Sequence, residues 1–165
     1  MRMKSLLYSV LASFVLASAL YPPARAAGLN IETATIADLN AAFASGTLTS
    51  EALVSAYLKR IEAYDKKGPG INAIITLNKK ALDEARQLDV ERKNGTVRGP
   101  LHGIPVVLKD NYDTVDMPTT AGSQLLEGHM AKQDAFMVKK LREAGAIVLA
   151  NVNLSEFAGS GGSVS

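Results

Sequence analysis

Lys109 is the residue of this 165-residue chain whose setting most invites chemistry. It directly follows Ile104-Pro105-Val106-Val107-Leu108, an uninterrupted apolar run. Such a run reads as a strand buried on both faces, which places the amine at its carboxyl end, where open α/β sheets keep their sites. Burial there would disfavour the ammonium form and leave an amine able to accept a proton near neutral pH. On spacing alone a plainer reading stands beside it: a strand-end lysine that is solvated, or paired with Asp110 or Asp113.

The other reactive types are sparse. Asp110, Asp113 and Asp116 invite a calcium loop, but EF-hand spacing would put Tyr112 and Thr114 at ligand positions and Ala121 at the closing glutamate. His102, just before the strand, reads as a structural hydrogen-bonding group, and His129 falls in a loop with no carboxylate partner legible from sequence. Two isolated histidines and no cysteine argue against zinc, a thiol nucleophile and a disulfide framework. There is no G-x-S-x-G and no S-x-x-K, so neither of those serine nucleophile settings is present. The expected set of metals and organic cofactors is empty.

The elements that must position Lys109 follow from periodicity. Residues 35–45 and 49–64 are predicted helices joined by a turn at Gly46, with Thr49 capping the second. Leu53, Tyr57 and Ile61, with Val54 and Leu58 alongside, give that second helix its apolar face. Gly68-Pro69-Gly70 stops it, and the β-branched Ile71–Leu77 reads as a strand. Residues 79–93 return to helix, with Leu82, Ala85 and Leu88 inward, an Asp89–Lys93 surface pair, and Asn94-Gly95 as its C-terminal cap. After the strand before Lys109 comes a loop over 113–123. Asp134 is then the expected N-cap of a helix whose inward row is Met137, Val138, Leu141 and Ala144, ended by Gly145. Ala146–Leu149 is a further buried strand. Strand, connection with helix, strand describes a crossover unit, hence an α/β fold with parallel pairing.

The strings GPLHGIPVVLKDNYDT, MPTTAGS and DAFMVKKLREAGAIVLANVNLSEFAGS, in this order and with these gaps, resemble the opening of the amidase signature family from about Thr35 onward. That resemblance implies a mixed sheet flanked by helices and the hydrolysis of carboxylic amide bonds by a nucleophilic serine, a second serine in a cis peptide, and a lysine. Lys109 falls on the family's lysine. Its neutral amine would take a proton from the cis serine, which in turn activates the nucleophile. Both serines belong in a Gly/Ser-rich stretch farther downstream. The tail Gly159–Ser165 matches that stretch in composition only and follows Leu154-Ser155-Glu156-Phe157 too soon, so Ser160, Ser163 and Ser165 are not assigned a role. One departure is visible: where the family often has Gly-Lys-Thr-Asn, this chain has Ala150-Asn151-Val152-Asn153, which leaves any role for side chains there open.

The N-terminus reads as an export signal. Arg2 and Lys4 precede an apolar stretch from Ser5 to Leu20, Pro22-Pro23 ends any helix, and Ala24-Arg25-Ala26 offers a cleavage site. Residues 1–26 are therefore the expected signal peptide, with a mature chain from Ala27 acting in the periplasm or outside the cell and no stable membrane anchor. Without Arg2, Lys4 and Arg25, the body has 15 basic against 16 acidic residues. Such a balance gives no reason to expect nucleic acid as a partner. The expected partner is a small-molecule or peptide amide. The export signal also argues against the family's tRNA-dependent amidotransferase subunits, which serve translation.

Residues 27–165 are expected to be the N-terminal part of an amidase domain, incomplete at the C-terminus and inactive alone, because the chain ends in a loop with few strands to close a sheet. The alternative is a catalytically inactive domain acting as a binding or scaffold module.

Overall fold

A computed structural model describes residues 29–159. The expected signal peptide and the tail Ser160–Ser165 lie outside the described residues. The chain divides into two units between Thr33 and Ala34, of which residues 29–33 and 34–159 are described. Of the first, the described part is a turn in which Asn30 accepts from the Glu32 and Thr33 amides.

The second unit contains four α-helices and three strands among the described residues. Helix α1 (Ile36–Ala44) starts at a reciprocal capping box: Thr35 Oγ1 accepts from Asp38 N at 3.2 Å and Asp38 Oδ2 accepts from Thr35 N at 2.9 Å. Each side chain thereby satisfies an amide that the first helical turn cannot. Leu39 and Phe43, four residues apart, are its buried face. Helix α2 (Ser50–Tyr64) is capped by Thr49, as its sequence predicts, with Ala52 N donating at 3.1 Å. A second cap comes from helix α3 (Ala81–Lys93): the Asp89 carboxylate accepts from Ser50 N at 2.8 Å and Glu51 N at 3.0 Å. This replaces the surface pair with Lys93 that the spacing predicts. Two charge-assisted bonds at a helix N-terminus outweigh one solvent-screened pair.

Strand β1 (Ile74–Leu77) is shorter than the run from Ile71 suggests. The amides of residues 71–73 are consumed elsewhere: Ile71 donates to Tyr64 O, Asn72 to Asp65 O, and Ala73 to Asp65 Oδ1. Asp65 also accepts from Ile74 N at 3.1 Å, so this buried carboxylate ties the end of α2 to the start of β1. Desolvation by itself would raise its pKa. The Ile74 and Ala73 amides, with Lys66 nearby, overcome that and hold it below the ordinary carboxylate value. A folded-state pKa below the unfolded one adds stability above the unfolded value, and that contribution disappears as pH falls through the folded one. Asp65→Asn is therefore expected to lower the urea midpoint at pH 7, and the gap to wild type is expected to close below about pH 4. An equal gap at pH 7 and pH 3 would show that the charge is not what matters.

Strand β2 (Pro105–Lys109), helix α4 (Phe136–Glu143) and strand β3 (Ile147–Val152) complete the crossover. The sheet order is β1-β3-β2, with β2 parallel and β1 antiparallel to β3, so the sheet is mixed. β3 is the central strand. Ile147 and Leu149 join Val54, Ala81, Ala85 and Leu88 in one apolar cluster, while Val148 joins Leu108, Met117 and Val138 in another. Because successive side chains point to opposite faces, a strand covered on both sides needs an unbroken apolar sequence. β2 reads similarly but is an edge strand of this sheet, with Val107 51% exposed rather than buried.

Two expectations for α4 are corrected. Its N-cap is Ala135, without a side-chain cap, and Met137 is exposed while Val138 is fully buried. Asp134 instead accepts from Val115 N at 2.9 Å and lies 3.1 Å from Arg142 Nε. Arg142 also takes Asp116 in two bonds of 2.9 and 2.7 Å and approaches Glu84 at 3.6 Å. One guanidinium thus gathers three carboxylates, Asp116 and Asp134 from loops and Glu84 from α3.

Candidate active site

Parallel pairing places Lys109 opposite Val152, at the carboxyl end of both β2 and β3. The chain turns immediately afterwards, since Lys109 O accepts from Asn111 N at 2.8 Å and from Tyr112 N at 3.1 Å. Lys109 is exposed, and its side chain makes no hydrogen bond or ion pair with the described residues. Neither Asp110 nor Asp113 is its partner. Among residues 29–159 the amine is open to solvent.

Asp110 points the other way and is fully buried. Its carboxylate accepts from Thr120 N at 3.2 and 3.1 Å, from Thr120 Oγ1, and from Asn151 Nδ2 at 3.5 Å, the outer limit of a bond. Its amide donates to Val152 O at 3.0 Å, and its carbonyl accepts from Ala121 N at 2.8 Å. Asn151 is also fully buried and donates to Pro118 O at 3.0 Å. The position where the chain departs from the family pattern thus holds the loop over 118–122 against β3.

That loop runs through Ala121 at φ +51° and Gly122 at φ +70°. A Cβ on Gly122 would stand 3.0 Å from Leu154 O, so the glycine permits the close approach of the turn after β3. Phe157 N donates to Ala121 O at 2.7 Å, and the buried Ser123 donates from Oγ to Glu156 Oε1, also at 2.7 Å. Beside this loop lies an open cleft of about 650 Å³ lined by Thr120, Gly122, Ser123, Glu127, Asn72 and Asn153. Lys109 does not line it.

The remaining candidates fall apart from the lysine. His102 is fully buried, facing Leu88 O through Nε2 at 2.9 Å and accepting from Arg98 N on Nδ1 at 3.2 Å, which is a structural part. His129 is exposed. Asp110, Asp113 and Asp116 do not converge: Asp110 binds Thr120, Asp113 offers its carbonyl to Ala135 N, and Asp116 pairs with Arg142. Among the described residues no three His, Cys, Asp or Glu side chains could hold a metal ion together. The contacts that join Asp110 to Thr120 and Asn151 are ones that sequence reasoning missed. The alternation Leu108 in, Lys109 out, Asp110 in was the available signal, since a strand that presents Lys109 must turn its neighbours inward.

Comparison with known proteins agrees with the motifs. The amidase family model matches residues 52–165. The chain belongs to the amidase family. It is 45% identical over 140 residues to a Schizosaccharomyces pombe protein named as an amidase, covering 84% of this chain and 24% of that one. It is 40% identical over 131 residues to a glutamyl-tRNA(Gln) amidotransferase subunit from Streptomyces avermitilis, covering 79% and 26%. The structure superposes on the peptide amidase of Stenotrophomonas maltophilia with a TM-score of 0.73 and 50% identity, over 76% of this chain and 26% of that one. The chain thus spans about a quarter of the length of these relatives. The fold is that of the amidase structures, with the mixed sheet the resemblance implied.

Proposed function

We propose that this chain is the lysine-bearing part of an exported serine amidase that hydrolyses carboxylic amides of small molecules or peptides. The observation that carries the reading is the placement of Lys109 at the carboxyl end of paired parallel strands, with its side chain turned out of the core, in a chain of the amidase family. Lys109, as the neutral amine, takes the proton of a cis serine. That serine takes the proton of the nucleophilic serine, whose oxygen attacks the amide carbon. The amine leaves with a proton returned along the same path, and water releases the acid from the acyl-enzyme. Both serines and the amides that stabilise the oxyanion would come from polypeptide outside the described residues. The scheme needs no metal and no organic cofactor.

Peptide amides are the favoured substrates, because a structure 50% identical to this chain is a peptide amidase. The amidotransferase likeness is weighed lower, since residues 1–26 have the pattern of a secretory leader. The test is expression of the intact gene with its leader, followed by assay of the secreted or periplasmic fraction on a C-terminally amidated peptide. Release of ammonia by a protein whose N-terminus is Ala27 is the expected result. A folded product that releases none, and forms no hydroxylamine-trappable acyl-enzyme, would overturn the reading in favour of an inactive binding module.

A further inference from the structure

Asp110 is a fully buried carboxylate whose partners are all neutral donors, an expensive way to close a loop. Its arrangement is directed at one place in the chain. The peptide joining Lys109 to Asp110 is held through Asp110 N on Val152 O, and the Asp110 carbonyl is held by Ala121 N. The carboxylate itself is held by Thr120, and Asn151 reaches from β3 to both Asp110 and Pro118. Asp110 is the first residue after β2, and because its amide still donates to Val152 O, fastening its side chain inward holds Lys109 on the opposite, exposed side.

We infer that Asp110, with Thr120 and Asn151 as its support, is a positioning residue that sets where the Lys109 amine is delivered. The inference rests on the proposed role of Lys109. Thr120 supplies both a backbone amide and a hydroxyl, and the hydroxyl also accepts from Gly122 N at 3.2 Å, so losing it removes two contacts while the Thr120 amide and Asn151 still tie the loop. Asparagine at 110 would keep the shape but turn an amide donor toward the donors that now face a carboxylate.

The experiment compares steady-state kinetics on a C-terminally amidated peptide for wild type, Asp110→Asn, Thr120→Val, Thr120→Ser and Lys109→Ala, each as the intact gene encodes it. Misplacement of a reacting group lowers turnover while leaving substrate contacts in place. Asp110→Asn is expected to lower kcat roughly tenfold to a hundredfold with KM little changed. Thr120→Val is expected to lower kcat in the same sense, and Thr120→Ser to restore it. Wild-type kcat in Asp110→Asn or Thr120→Val, beside an inactive Lys109→Ala, overturns this inference alone. Wild-type turnover in Lys109→Ala overturns the functional reading and this inference with it. Where Asp110→Asn does not fold, the Thr120 pair decides: a serine variant as slow as the valine variant counts against positioning.

Discussion

Lys109→Ala is expected to reduce amide hydrolysis by about a thousandfold or more, the scale of a lost proton acceptor, with little change in thermal stability. The stability expectation follows from the exposure of Lys109 and its lack of bonding partners among the described residues. Surface substitutions of that kind stay within about 0.5 kcal/mol. Lys109→Arg is the sharper variant: it keeps length and positive charge, but guanidinium does not give up its proton and cannot act as a base. Arginine should therefore be as inactive as alanine. If arginine retained a tenth or more of wild-type kcat, the lysine would be supplying charge and not accepting a proton, and the proposed mechanism would be wrong.

The largest expected effect on folding is at Gly103, in the Leu-His-Gly turn that leads into β2. Gly103 has φ +83°, and a Cβ there would overlap Ser50 Oγ and stand 2.9 Å from Arg92 Nη2. Turning the Ser50 hydroxyl aside still leaves Ser50 Cβ 3.0 Å from the added carbon, and Arg92 is tied in place. Ser50 is fully buried at the start of α2, and Arg92 is held by His102 O at 2.8 Å and lies 4.5 Å over the Phe43 ring. Burial already pushes the Arg92 guanidinium pKa down, with nearby Asp89 opposing. Gly46 is the control, at φ +71° with nothing within 4 Å of an added Cβ. Gly46→Ala should cost about 1 kcal/mol for the left-handed backbone alone. Gly103→Ala should cost about 3 kcal/mol or more, because steric overlap in a packed site is added to the same backbone term. Equal urea midpoints for the two variants would show that α2 and the turn separate more easily than their packing indicates.

The acid sensitivity of Asp65 and the clash at Gly103 share a cause. In both, a turn residue is made necessary by what packs against it from a distant segment. The Gly68-Pro69-Gly70 stop was legible, yet nothing local shows that Asp65 takes the amides of Ala73 and Ile74 and so delays β1. Gly103 reads only as a glycine before a strand. Its need for a bare Cα comes from Ser50 and Arg92, fifty-three residues before it and eleven residues before it in the sequence.

What the amino-acid order determined by itself is local or periodic. It determined the helical segments, the Thr49 cap, the stop at Asn94-Gly95, the apolar run of β3 and the lysine at the end of β2. Each depends on side-chain spacing or on a turn residue acting over a few positions. The family motifs around Lys109 and through MPTTAGS carried the identification for the same reason, being short and contiguous. Tertiary structure alone decided which strand is central, that β1 runs antiparallel, and that Asp89 and Asp134 serve other elements than their own. It also decided that Asp110, Thr120 and Asn151 meet behind Lys109. Those outcomes turn on competition among distant donors and acceptors for burial and charge, and proximity in the chain does not encode which partner wins.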